Sequence, residues 1–194
     1  VRSIIYLHGF NSSPHSAKAQ IIQAYFQKHH CDVVCHIPTL SIEPAHAIEQ
    51  VSDIIVKSQA QGENPTLMGS SLGGFYATYL SQQFGLKAVL INPAVAAHQL
   101  LVDHVGEQTH FHTGERYQFT TAYLEQLQWM NVEHISQPEN FFVLLQAGDE
   151  VLDYQQAIAL FSRSSLWVSG GGSHAFDHIE QTIPAVLNFL HHAK

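Results

Sequence analysis

Short apolar runs alternate along this chain with stretches whose apolar residues recur every three or four positions. The first pattern predicts strands buried on both faces and the second predicts amphipathic helices covering them. Their alternation is the signature of a parallel α/β sheet. Strands are expected over 4–7, 32–37, 66–69, 88–92, 141–146 and 166–169. Helices are expected over 15–29, 44–61, 72–84, 154–162 and 178–191. Ser13-Pro14 suits a helix cap followed by a first-turn proline, and Gly62 and Gly85 suit helix stops. Between Pro93 and Pro138 the strand signal lapses. Two amphipathic patterns there, 96–105 and 116–130, predict a helical, cap-like insertion over 94–137, either a lid or a cover for the sheet edge. The expected architecture is one domain over 1–194. It is a three-layer α/β/α sandwich with a mostly parallel six-stranded sheet in the order 2-1-3-4-5-6.

One junction in this pattern carries chemistry. Gly69, Ser71 and Gly73 form Gly-x-Ser-x-Gly, and the motif joins an apolar strand to a helix with no loop between them. A chain reversing that sharply strains its middle residue and needs small residues two positions to either side. The serine hydroxyl is then held up at the carboxyl edge of the sheet, where open α/β sheets bind ligands. Ser71 is therefore the candidate nucleophile. Ser70 has Met68 two positions before it and is set aside.

The partners follow from the same edge. His174, in Gly170-Gly171-Gly172-Ser173-His174, stands between the last strand and the last helix and is the candidate general base. Asp149 is the first carboxylate beyond the strand at 141–146 and is the candidate acid. Glu150 is expected to point elsewhere, and Asp153 reads as a helix cap. His8-Gly9 ends the first strand. The backbone N–H groups of Phe10 and Leu72 are the candidate oxyanion donors, with His8 holding the loop. Leu100, Leu101, Phe119, Tyr123 and Leu127 are candidate apolar walls of an acyl pocket. Arg116 is the only basic residue in that insertion, so neutral acyl groups are expected over strongly anionic substrates.

Composition removes other classes of function. The formal net charge is −8, with only 8 Lys and Arg, which gives no stripe to track phosphates or an anionic membrane. No apolar run approaches the roughly 20 residues of a membrane helix, and the opening apolar stretch is short for a secretory signal. The two cysteines, Cys31 and Cys35, would lie roughly 13 Å apart on one strand, too far for a disulfide. A reduced, cytoplasmic setting is expected, with the chain a monomer or small homo-oligomer. Among 15 histidines, His30 and His36 flank these cysteines, but strand alternation sends such residues to different faces. No metal and no cofactor is expected.

With these motifs in place the chain resembles the YqiA-like bacterial esterases, a small family of the α/β-hydrolase fold. The matching segments are Tyr-Leu-His-Gly-Phe-Asn-Ser-Ser-Pro at 6–14, Gly-Ser-Ser-Leu-Gly-Gly at 69–74, Asn-Pro-Ala-Val at 92–95 and Thr-Gly at 113–114. Gly-Asp-Glu-Val-Leu-Asp-Tyr at 148–154 and Gly-Ser-His-Ala-Phe at 172–176 complete them. The resemblance implies hydrolysis of small carboxylic esters, extending to acyl-CoA thioesters, without metal or cofactor. A peptidase or amidase using the same Ser-Asp-His triad, and a non-catalytic binding module on the same fold, are the alternatives.

Overall fold

The computed structural model describes residues 2–29 and 33–191. Its main sheet joins β1 (Arg2–Leu7), β2 (Val33–His36), β3 (Thr66–Ser70), β4 (Ala88–Ile91), β7 (Phe141–Gln146) and β8 (Ser165–Ser169). The order is β2-β1-β3-β4-β7-β8, and every pair is parallel. Numbered within this sheet alone, that is 2-1-3-4-5-6.

The central strands are largely apolar because both of their faces are covered. Ile5, Leu7, Leu67, Ala88, Leu90, Phe141, Val143 and Leu145 face one core. Helices α2 (Pro44–Ala60), α3 (Leu72–Phe84), α5 (Thr121–Trp129) and α6 (Tyr154–Leu160) supply its other wall. The alternate residues Ile4, Tyr6, Met68, Val89, Ile91, Phe142 and Leu144 face the second core, under α1 (Ala17–His29) and α7 (Ile183–His191). Strand alternation thus sorts one sequence into two cores, and the three-layer sandwich follows.

Helix stops fall where expected. Gly85 closes α3 in the left-handed region at φ 65°, and Gly62 follows α2 at φ 78°. The first helix begins later than the Ser13-Pro14 signal suggests. Ser13 instead caps a preceding turn, its Oγ accepting the His15 N–H at 3.1 Å. Ser16 then caps α1 through the Ala19 N–H at 3.4 Å.

The insertion over 94–137 departs from the expected pair of helices. The first pattern yields only the single-turn α4 (Ala97–Leu100) and a 3₁₀ turn, Val102–His104. An antiparallel hairpin follows, β5 (Gly106–Thr109) with β6 (Arg116–Phe119), and α5 begins only at Thr121. The hairpin escapes a hydrophobic reading because it lies half in water: in β6 only Tyr117 and Phe119 turn inward. Its outward residues are polar, and Arg116 pairs with Glu107 across the strands.

Among the described residues no helix is long and apolar enough to cross a membrane. No group of His, Cys, Asp or Glu among them could hold a metal ion. Cys35 is a free thiol on β2, pushed up to about 11 by burial. Its sequence neighbours His30 and Cys31 lie outside the described residues, as does Asp32, the first residue of the expected second strand.

Candidate functional site

The site is built at the carboxyl ends of β3, β7 and β8. Ser71 joins β3 to α3 with φ 55° and ψ −121°, a conformation that side-chain-bearing residues rarely adopt. The flanking glycines are required by contact. A Cβ on Gly69 would stand 2.2 Å from the Gly73 carbonyl oxygen, and one on Gly73 would stand 2.0 Å from that of Leu7. Both obstacles are backbone. Gly73→Ala should therefore cost about 3 kcal/mol, roughly 6–12 °C in melting temperature. An unchanged melting curve would contradict this packing.

From Ser71 a line of hydrogen bonds runs through two further loops. Ser71 Oγ lies 3.1 Å from His174 Nε2. On the far side of the ring, Nδ1 lies 2.8 Å from Asp149 Oδ2 and 3.1 Å from Oδ1. An ionised carboxylate only accepts, so Nδ1 carries the hydrogen and Nε2 is left to accept from the serine. The Asp149 side chain is 1% exposed, and its Oδ1 also accepts the N–H groups of Val151 at 2.9 Å and Leu152 at 2.8 Å. Asp153 caps α6 through the Gln155 N–H.

Three residues that the sequence reading left without a role hold this loop in place. Asn92, just past β4, donates from Nδ2 to the carbonyls of Ser173 at 3.0 Å and His174 at 3.3 Å. Its Oδ1 accepts the Gln146 N–H. Gln146, the last residue of β7, accepts from the N–H groups of Ser173 and Asp177 and donates to the Asp177 carbonyl. Glu150 does not point away as expected: its carboxylate accepts the His174 N–H at 2.9 Å. A polar residue closing an otherwise apolar strand, as Asn92 and Gln146 do, was the signal available in the sequence.

On the other side of Ser71 the turn after β1 presses close. A Cβ on Gly9 would lie 3.4 Å from Ser71 Cβ and 3.9 Å from its Oγ. His8 is buried and accepts the Leu40 N–H at Nε2, 3.1 Å away, so it cannot serve Ser71. Burial also lowers its pKa, which favours the neutral ring. Leu72 is the first residue of α3, so its N–H has no acceptor within the helix. Ser70, the rejected rival, is 6% exposed and receives the Lys18 ammonium at 2.6 Å.

A pocket opens beside Gly9 and Leu72. Phe10, Leu40, Ile42, Tyr76 and Phe119 form its apolar wall, with Asn11, Ser41, His110 and Tyr117 among its polar groups. Among the described residues no lysine, arginine, aspartate or glutamate lines it, and neither Ser71 nor His174 does. Of the five side chains expected to wall an acyl pocket, the one that lines this pocket is Phe119. Tyr123 packs behind it, with ring centroids 5.6 Å apart. Leu101 and Leu127 belong to the core under the insertion, and Leu100 is exposed. The other wall residues come from the turn after β1, from the segment before α2 and from α3, which carry no local sign of a shared pocket, and the hairpin adds His110, Tyr117 and Phe119. Asn11, at φ 55°, ties that hairpin to the turn after β1. It accepts from the Tyr117 hydroxyl, donates to Gln108 and takes the Phe111 N–H on its own carbonyl.

Residues 3–191 match the model of an uncharacterised protein family, UPF0227. The chain belongs to that family. A UPF0227 protein of Vibrio parahaemolyticus is 24% identical over 192 residues, covering 96% of this chain and 98% of its own. The family agrees with the resemblance read from the motifs. Among solved structures, a hydrolase-named protein of Agrobacterium vitis superposes with a TM-score of 0.75 at 20% identity, over 95% of this chain and 87% of that one. Est1E of Butyrivibrio proteoclasticus, in a structure with ferulic acid bound, gives 0.72 at 15% identity, over 98% and 88%. The fold is that of the α/β-hydrolases.

Proposed function

We propose that the chain is a serine hydrolase of carboxylic esters, with Ser71, His174 and Asp149 as its catalytic triad. The observation that carries this reading is the unbroken line from Ser71 Oγ to His174 at 3.1 Å and on to Asp149 at 2.8 Å, starting from a strained turn. Ser71 Oγ bonds to the ester carbonyl carbon while its proton passes to His174 Nε2. The carbonyl oxygen takes the negative charge and is received by the N–H groups of Phe10 and Leu72. His174 then protonates the leaving alkoxide as the ester C–O bond breaks. Water repeats the cycle on the acyl-enzyme, giving its proton to His174 and its hydroxyl to the carbonyl carbon. Ser71 leaves with the proton, and the carboxylic acid departs.

The leaving oxygen must face His174, which protonates it. The pocket beside Gly9 and Leu72 takes no wall from the loops carrying His174 and Asp149, so it receives the acyl side. With no charged side chain among its lining residues it suits neutral acyl groups. An aromatic acid bound to Est1E, a protein of the same fold, is compatible with such a pocket. Acyl-CoA thioesters follow the same chemistry, their acyl chain being equally neutral.

A fluorophosphonate probe tests the reading directly. Ser71 should be the residue it modifies, as read by peptide mass spectrometry, and pretreatment should abolish turnover of nitrophenyl butyrate. A folded protein that neither reacts nor turns the ester over would instead be a binding module on this fold.

A further inference from the structure

The turn after β1 is fastened to the inserted hairpin through one side chain. Gly9, Phe10, Asn11 and Ser12 form a β-turn closed by the Ser12 N–H on the Gly9 carbonyl at 3.2 Å. Asn11 holds its third position at φ 55°, a left-handed conformation that asparagine tolerates better than most side chains. Both polar atoms of that side chain are engaged by the hairpin. Oδ1 accepts the Tyr117 hydroxyl of β6, and Nδ2 donates to Gln108 Oε1 of β5 at 3.3 Å. Gln108 is fixed in turn, its Nε2 donating to the His104 carbonyl at 2.8 Å. The Asn11 carbonyl accepts the Phe111 N–H of the hairpin loop at 3.0 Å. Burial pushes the Tyr117 phenol up to about 12, so its hydroxyl keeps the proton it donates throughout the neutral range.

Phe10, the residue before Asn11, is gripped from the same side. Its ring meets that of Phe119 in β6 edge-on at 5.4 Å, and that of His104 edge-on at 5.4 Å. Among the described residues no protein group accepts its N–H. On its other side the turn abuts the nucleophile, where a Cβ on Gly9 would lie 3.4 Å from Ser71 Cβ. The four-residue turn therefore stands between Ser71 and the hairpin. A backbone donor stabilises a developing oxyanion to the extent that it is fixed beforehand. A displacement of about 1 Å at such a donor can cost roughly 10²-fold in rate.

We propose that Asn11 and Tyr117 are positioning residues of the oxyanion hole: through them the hairpin holds the turn that presents the Phe10 N–H to the substrate carbonyl. The inference rests on the hydrolase reading and on Phe10 as an oxyanion donor. It gives the insertion a part in the chemistry besides walling the acyl pocket. Neither residue touches the reacting atoms, so the effect of each passes through the backbone of the turn.

The test compares the parent with Tyr117→Phe, Asn11→Gly, their double variant and Glu107→Gln, on nitrophenyl acetate and nitrophenyl butyrate. Phenylalanine removes the hydroxyl and keeps the ring. Glycine adopts the positive φ of the turn freely and removes the side-chain clamp. Each should lower kcat by about 10-fold or more with KM within a factor of about three, since a misplaced donor is missed most in the transition state. The loss should be equal for both esters. A role through acyl contact alone would show with butyrate and spare acetate. The double variant should be no worse than Asn11→Gly, because both changes cut one link. Glu107→Gln opens the exposed pair with Arg116 on the outer face of the hairpin and should keep kcat within a factor of about two. Amide hydrogen exchange reads the clamp without turnover: the Ser12 and Phe111 N–H groups should exchange roughly fivefold faster in Tyr117→Phe and in Asn11→Gly. Tyr117→Phe carries both readouts should the glycine variant fold poorly. A loss confined to butyrate, a loss in KM alone, losses that add in the double variant, or an equal loss in Glu107→Gln would each overturn the proposal. Unchanged exchange, or intact kcat in both single variants of an active parent, would overturn the role of Asn11 and Tyr117 alone. A parent that hydrolyses neither ester and leaves Ser71 unlabelled by a fluorophosphonate would overturn the hydrolase reading itself.

Discussion

Ser71→Ala should reduce turnover of nitrophenyl butyrate by about 10⁴-fold or more while the protein melts as before. Among the described residues the hydroxyl makes one hydrogen bond, to His174, so its removal takes nothing from either core. Alanine keeps the Cβ, and with it the strain of φ 55° and ψ −121°. Ser71→Gly separates the two roles of this position. Glycine adopts that conformation freely, so the variant should be equally inactive yet more stable by about 1 kcal/mol, roughly 2–4 °C in melting temperature. Turnover retained in both variants would remove Ser71 from the chemistry. A glycine variant melting below the parent would mean that the turn is relaxed with serine in place.

The strained turn, its glycines and the proposed nucleophile could be read from nine residues, 66–74, because everything that makes the elbow is local: a strand, a reversal and a helix in immediate succession. His174 and Asp149 could be read because each follows a strand of known direction. Parallel strands deliver their following loops to one edge, so topology does the work of contact. The two cores were legible for a similar reason, since period-two alternation in β1, β3, β4 and β7 sorts residues between faces whatever the partner. Tertiary pairing leaves no such local trace. The hairpin of β5 and β6 is polar on its outer face, and its pairing with the turn after β1 depends on Asn11, 106 residues from Tyr117. Glu150 reads as a surface acid until the loop carrying His174 arrives beside it. Lys18 reads as an ordinary helix lysine until Ser70 is placed under it.

Asp149→Asn should cost about 10³–10⁴-fold in kcat with little change in melting temperature. The carboxylate accepts from His174 Nδ1 and thereby fixes which ring nitrogen carries the hydrogen. An asparagine there can keep its oxygen toward the N–H groups of Val151 and Leu152, 2.9 and 2.8 Å from Oδ1, so the loop survives. Its amide nitrogen then faces the imidazole and donates to Nδ1. The hydrogen moves to Nε2, and the ring can no longer accept the Ser71 proton. Asp153 makes the opposite comparison. It accepts the Gln155 N–H at the start of α6 and touches nothing in the line from Ser71 to Asp149. Asp153→Ala should therefore lose about 1 kcal/mol of stability through the missing cap while kcat stays within a factor of about two. Measuring kcat and melting temperature on both variants separates the two carboxylates. Loss of rate from Asp153→Ala, with Asp149→Asn unaffected, would move the acid of the triad four residues along the chain.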